Sequence, residues 1–303
     1  MPATDHRQTE GMSAGRYAPS PSGDLHVGNL RTAVLAWLFA RSSGRDFLMR
    51  VDDLDRVREG AAERQLADLA TLGLDWDGPV LWQSSRVDAH AQAVARLTDA
   101  GLTFECFCTR REVLEAPSAP HRPPGAYPGT CRDLTEAERE DRRRERPAAV
   151  RLRADVDSWT VRDELHGDVT ADVDDLVLRR GDGVPAYNLT VVLDDAHQGV
   201  DQVVRGDDLL TSAPRQAYLA TLLDLPVPSY AHVPLALNAD GARLAKRDGA
   251  VTLTELRDAG VDVLAMIGGS LGFRGAGPQD WLDELDPEGL PREPWVVRPP
   301  ALG

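Results

Sequence analysis

The 303-residue chain holds a single lysine, Lys246, among 34 basic residues. Arginine supplies the others, so one compact ammonium stands against a background of planar guanidinium groups with different hydration and hydrogen-bonding. Aromatic residues make up only 5%, too few for the stacking platforms that grip single-stranded nucleic acid. Acidic residues outnumber basic ones by 49 to 34, a formal net charge of −15. Such a chain does not cling to DNA or to an anionic membrane, and an RNA partner must meet a local basic surface. No stretch reaches the ~20 apolar residues of a membrane-spanning helix. Met1–Gly15 has no apolar run behind a basic one, so no secretory signal is visible and a cytoplasmic location is expected. Cysteine is scarce as well. Cys106, Cys108 and Cys131 form an odd, clustered set, which favours metal ligation over disulfides.

What is present suits an α/β protein. The 42% hydrophobic content supports a real core, and the length fits one large domain carrying an insertion. Residues 1–14 read as a tail. Gly15–Pro19 is short and extended, and Ser20–Asp24 is a turn cluster. Apolar residues then recur at helical spacing through Leu30, Val34, Trp37 and Leu38. Phe47–Val51 is a candidate strand, and Glu59–Leu72 and Arg86–Gly101 are amphipathic helices. This order opens a doubly wound parallel sheet, assigned to residues 15–100. Residues 101–185 interrupt it with all three cysteines, a proline-rich loop and the arginine run Arg139–Arg146. That run is interleaved with acids, as on a solvated helix face. Strand-like pieces follow at Ala148–Leu152 and Leu176–Arg179. The alternation resumes over 186–250 with Tyr187–Leu193, Gln202–Arg205, a helix over Ser212–Leu223 and the apolar run Val233–Leu237. Residues 251–303 read as a short helical piece and a tail.

Two separated stretches carry chemistry. The first is the turn Pro19-Ser20-Pro21-Ser22-Gly23-Asp24-Leu25-His26-Val27-Gly28-Asn29, which leads into a helix whose N-terminal N–H groups suit a phosphate. His26 adds a donor or charge there, and Gly28 removes a side chain where a nucleotide would approach. The second is Arg243-Leu244-Ala245-Lys246-Arg247, a basic loop suited to neutralising a departing pyrophosphate.

Together the two resemble the HIGH and KMSKS motifs of class I aminoacyl-tRNA synthetases. Asn29 replaces the second His, and Arg243, Ala245 and Arg247 replace Lys, Ser and Ser, while Lys246 keeps the second Lys position. Arg16-Tyr17-Ala18-Pro19-Ser20, Arg50-Val51-Asp52-Asp53-Leu54-Asp55, Tyr187-Asn188-Leu189 and Val204-Arg205-Gly206-Asp207-Asp208-Leu209 are similar to the glutamyl-tRNA synthetase catalytic domain. Within that group they are most similar to the enzymes that charge queuosine in tRNA(Asp).

The resemblance implies a Rossmann-type fold with an acceptor-binding, zinc-containing insertion. It implies ATP-dependent, RNA-independent activation of L-glutamate, with Mg2+ beside the ATP. Transfer to queuosine at the wobble position of tRNA(Asp) would follow. Carried onto this sequence, Arg16 and Arg205 would hold the glutamate carboxylates, Tyr17, Ala18, Pro19, Ser20 and Tyr187 would complete the pocket, and Asp52 would take the α-ammonium in place of the family's Glu. ATP would meet His26, Gly28, Asn29 and Lys246, with His26 and Lys246 catalytic. About fifty residues follow Asp248, fewer than the ~100 of a further domain, so no anticodon-binding domain is expected. A monomer is expected too.

For the metal, Cys106, Cys108 and Cys131 are soft donors that favour zinc. Chemistry alone nominates His121 as the fourth ligand, and the family's Cys-x-Cys…Tyr-x3-Cys pattern implies Tyr127. Two other functions stay open on the residues alone. One is a ligase or nucleotidyltransferase acting on a small acid, and the other a catalytically impaired RNA-binding paralogue.

Overall fold

The computed structural model describes residues 13–115, 127–244 and 251–298. Lys246, His121 and residues 1–12 of the expected tail lie outside them. Strand β1 (Ala14–Tyr17) is buried along its whole length, as a central strand covered on both faces must be. Helix α1 (Val27–Ser42), β2 (Asp46–Val51), α2 (Ala61–Thr71), β3 (Leu81–Trp82) and α3 (Val87–Asp99) follow. Next come β4 (Thr103–Cys106), α4 (Arg110–Glu115), α5 (Glu136–Glu145), β5 (Ala149–Leu152), β6 (Ser158–Asp163), β7 (Gly167–Asp172) and β8 (Val177–Arg179). The chain continues through α6 (Tyr187–His197), β9 (Val200–Gly206), α7 (Ala213–Leu222), β10 (Ser229–Val233) and β11 (Ala236–Leu237). It closes with α8 (Leu253–Asp258), α9 (Val263–Leu271), α10 (Pro278–Trp281) and β12 (Trp295–Val296).

Seven strands form the main sheet in the order β3-β2-β1-β9-β10-β6-β7. All its pairings are parallel except β6 with β7. The chain winds from β1 out to β2 and β3, then returns on the other side of β1 as β9. The crevice at the carboxyl ends of β1 and β9 is therefore a topological switch point, where open α/β sheets bind their ligands. Tyr187–Leu193 forms the first part of a helix, α6.

Two expectations need correction. Residues 101–185 do not form one inserted unit. β4, β5 and β8 make a separate three-stranded antiparallel sheet, but β6 and β7 extend the main one. The reason is packing: Val161 is buried with Val200, Val203 and Tyr230, and Val169 packs against them. Residues 251–298, expected as a short helical piece and a tail, also pack as a cap on the main core. Val263, Ile267 and Leu271 recur at i, i+4, i+8 on α9 and join the main core with Trp281, Leu290 and Val297. Trp281 can sit against α9 because residue 268 is glycine, where a Cβ would meet the indole at 2.6 Å. Helix α1 is consequently covered on both sides, which explains its nearly continuous apolar sequence.

Helix α5 matches the reading of the arginine run. It has no buried residue, starts with a Thr135–Glu138 capping box, and binds its arginines in ion pairs such as Arg139–Glu136 and Arg144–Asp141.

Candidate active site

The turn between β1 and α1 is held from two sides. The Asp52 amide donates to Pro19 O at 3.0 Å and that of Arg58 to Pro21 O at 2.9 Å. Gln65, buried on α2, donates from Nε2 to Gly23 O at 2.6 Å and Ser20 O at 3.1 Å. Pro19 is buried, Ala18 half-buried and Ser20 exposed at the mouth. The Tyr17 ring packs in the main core, and its hydroxyl donates to Asn29 O at 3.2 Å.

His26 caps α1. Its Nδ1 accepts the Asn29 amide at 3.2 Å, and Asn29 Oδ1 accepts the His26 amide at 3.3 Å. This reciprocal pair gives the Asn at the motif's last position a structural use. Gly28 is required by the protein itself, since a Cβ there would meet Ala236 Cβ at 2.8 Å and the His26 ring at 3.1 Å. The flanks of the segment that carries Lys246 are fixed beside this helix start. Val251 O accepts the Val27 amide at 3.2 Å, and Leu244 donates to Ala236 O at 3.4 Å. Arg243 pairs with Asp208 at 2.6 Å.

Arg16 and Arg205 end up buried at the carboxyl ends of β1 and β9, 4% and 6% exposed. Arg16 donates to Asp195 from Nε at 3.2 Å and Nη2 at 3.4 Å, and to Val204 O at 3.4 Å. Arg50 also reaches Asp195, at 2.5 Å, and binds Asp52 at 2.7 Å. One acid thus joins β1 and β2. Burial works against the charge on Asp195, but Arg16 and Arg50 together hold its carboxyl below the ordinary carboxylate range. At Asp52 burial wins over the pull of Arg50, and the carboxyl is raised. Arg205 binds His232, Gln216 and Leu209 O, and burial lowers the pKa of its guanidinium.

Ser20, Asp52 and the exposed Tyr187 line a cleft of about 1060 Å³. Cys108, Arg110, Arg151 and Arg180, all from residues 101–185, line the same cleft. Arg180 is also tied to Asp55 at 3.0 Å. Asp195, His232, Gln216 and Asp163 belong to no motif in the sequence. The one signal for Asp195 was an Asp-Asp pair inside an apolar helix.

The three cysteines converge next to this cleft, whose lining includes Cys108. Their sulfurs lie within 4.8 Å of one another, with Cys108 Sγ 3.6 Å from Cys131 Sγ. Sulfurs ~2.3 Å from a tetrahedral zinc stand ~3.8 Å apart, so the donor set fits such an ion. Tyr127 is at the same spot, its oxygen 3.5 Å from Cys106 Sγ and accepting the Cys131 amide at 2.8 Å. Burial, with the Cys106 charge added, pushes the Cys108 thiol up to about 12. A cation is the natural means of ionising so crowded a set.

The family model described as "tRNA synthetases class I (E and Q), catalytic domain" matches residues 14–290. A Nocardia farcinica protein named glutamyl-Q tRNA(Asp) synthetase is 66% identical over 94% of this chain and 93% of its own. The chain belongs to the glutamyl-Q tRNA(Asp) synthetase family. A family member from Symbiobacterium thermophilum is 42% identical over 96% of this chain and 97% of its own. The fold agrees. The crystal structure of the glutamate tRNA ligase of Elizabethkingia meningosepticum superposes with a TM-score of 0.78 at 24% identity, covering 96% of this chain and 68% of that one. That of the Elizabethkingia anophelis glutamate-tRNA synthetase gives 0.78 at 25%, covering 95% and 68%. This glutamyl-Q synthetase family member is therefore a ligase of the aminoacyl-tRNA synthetase type. Its central sheet is the class I catalytic fold. No described helix is long and apolar enough to cross a membrane.

Proposed function

We propose that the chain activates L-glutamate with ATP, without RNA, and transfers it to queuosine at the wobble position of tRNA(Asp). The observation that carries this reading is the pairing of two buried arginines, Arg16 and Arg205, with an exposed Tyr187 at the switch point of the sheet. Guanidinium groups suit a dicarboxylic substrate. The names of the relatives supply the acceptor.

In the first step a glutamate carboxylate oxygen attacks the ATP α-phosphorus, forming glutamyl-adenylate and releasing pyrophosphate. Arg16 and Arg205 hold the carboxylates, with Ala18, Pro19, Ser20 and Tyr187 around them and Tyr17 bracing α1 below. Asp52 takes the α-ammonium, whose charge favours the ionised form that burial disfavours. ATP lies against the start of α1, at His26, Gly28 and Asn29. His26, as donor, and Lys246, as mobile cation, stabilise the charge that develops on the phosphates. Mg2+ comes with the ATP. In the second step a hydroxyl of the queuosine cyclopentene ring attacks the acyl carbon and AMP leaves.

Cys106, Cys108 and Cys131, with Tyr127 as fourth ligand, would hold one zinc ion whose chemistry is structural. It would fix the wall of the cleft that carries Cys108 and Arg110. The chain acts in the cytoplasm as a monomer on this reading. Glutamate-dependent ATP–pyrophosphate exchange without RNA tests the first step: exchange with glutamate alone supports it. Exchange that requires RNA, or no exchange, rejects it.

A further inference from the structure

Behind Arg205 runs a chain of buried side chains that takes no direct part in glutamate activation. Arg205 donates from Nε to His232 Nε2 at 3.0 Å, and His232 Nδ1 lies 2.6 Å from Asp163 Oδ2. Because Nε2 accepts, the ring proton belongs on Nδ1 and is donated to Asp163. Asp163 comes from the β6–β7 hairpin and is itself anchored. Its Oδ1 accepts the amides of Leu165 at 2.9 Å and His166 at 3.0 Å, and its Oδ2 accepts that of His232 at 3.2 Å. Both His232 and Asp163 are at most 1% exposed. The other arm of Arg205 donates from Nη1 to Gln216 Oε1 at 2.8 Å, and Gln216 donates on to Asn188 Oδ1 at 3.0 Å.

Among the described residues, every hydrogen-bond partner of Arg205 is thus neutral: an imidazole, an amide and the Leu209 carbonyl. Arg16 shares its charge with the Asp195 carboxylate, so of the two arginines Arg205 is the one whose hydrogen-bond partners leave its charge unmatched. A carboxylate in place of His232 would orient Arg205 equally well but would satisfy its charge, and a neutral glutamine amide would then compete more easily.

We propose that His232, held as the Nδ1–H tautomer by Asp163, is a positioning and specificity-determining residue that orients Arg205 while leaving its charge for the glutamate carboxylate. This rests on the reading of Arg205 as a glutamate-binding residue. The groups facing His232 are Asp163, Arg205, His166 (whose Nε2 lies 2.9 Å from His232 O) and Tyr230, stacked at 5.9 Å. Burial and the Arg205 charge keep the ring from protonating, and Asp163 offsets them only in part. Protonation would remove the acceptor and set a second cation beside Arg205. Glutamate binding therefore weakens as pH falls through the titration of His232.

The test is steady-state pyrophosphate exchange by the full chain, with KM for glutamate and ATP measured across pH and glutamine as the competing substrate. His232→Leu removes the acceptor. It should raise KM for glutamate about tenfold or more, lower the preference for glutamate over glutamine, and change kcat and KM for ATP less. His232→Gln keeps an acceptor near the Nε2 position and cannot titrate; it should bind glutamate nearly normally and lose the acid-side rise in KM. Unchanged glutamate KM in a folded His232→Leu protein overturns the proposal, as does an acid-side rise that persists in His232→Gln. If His232→Leu does not fold, the pH profile of His232→Gln decides alone. Arg205→Ala separates the two layers of the argument. If it leaves KM for glutamate unchanged, the glutamate reading itself is wrong. If it raises KM while His232→Leu does not, only the role of His232 falls.

Discussion

His26 Nδ1 accepts the backbone amide of Asn29, and the Asn29 side chain accepts that of His26, at 3.2 and 3.3 Å. Accepting at Nδ1 assigns the neutral ring's proton to Nε2, which makes His26 a donor suited to a phosphate oxygen. Capping and chemistry can be pulled apart. Asparagine is a good N-cap, so His26→Asn should keep the melting temperature and lose ~10²-fold or more in exchange rate. His26→Ala should lose about 1 kcal/mol of stability as well. Wild-type exchange in His26→Asn would leave the ring a capping role alone.

The Asp195 carboxylate joins Arg16 to Arg50. Removing its charge leaves two buried guanidinium groups short of a partner, so Asp195→Asn should destabilise by ~3–5 kcal/mol and raise KM for glutamate. The folded-state pKa is depressed. The stability Asp195 contributes is therefore complete above the unfolded value of ~3.9 and lost as pH falls below it. Urea titrations should show a steeper loss below about pH 4 in the wild type than in the variant. Parallel pH curves would contradict this.

Lys246 should act on the rate of activation more than on binding. Lys246→Ala should lower the exchange rate ~10²-fold or more with a smaller change in KM for ATP. Lys246→Arg asks whether a mobile ammonium is needed in a chain that otherwise uses arginine. Full activity in that variant would remove the argument from the single lysine.

The cysteine cluster should carry one zinc per chain. Elemental analysis of protein purified without added metal should give about one equivalent, and chelation should lower the melting temperature while exchange persists in the folded protein. Tyr127→Phe should lose metal and His121→Ala should keep it. The reverse result would make His121 the fourth ligand.

Local signals made much of this site readable. The turn residues before His26, the helical spacing of α1, and the arginines at strand ends all express themselves within a few residues. The long-range partners did not. Arg16 and Asp195 are 179 residues apart, and only the Asp194–Asp195 pair inside the apolar α6 hints at a buried acid. His232 sits in the apolar Tyr230–Leu237 stretch, where a lone histidine has no periodicity to betray its neighbours. The β6–β7 hairpin was missed as part of the main sheet because only one of its faces is apolar, through Val161 and Val169. The C-terminal cap was underestimated because α8, α9 and α10 are short, between 4 and 9 residues. Their stability comes from packing, α9 and α10 on α1 and α8 on α9.

The acceptor is the heart of the account. Labelled glutamate, ATP and the purified chain should be incubated with tRNA(Asp) containing queuosine, tRNA(Asp) lacking it, and tRNA(Glu). An alkali-labile glutamyl ester is expected on queuosine-containing tRNA(Asp) alone. Equal labelling of tRNA(Glu), or of tRNA(Asp) without queuosine, would contradict it and return the chain to the synthetases that charge a 3′ end.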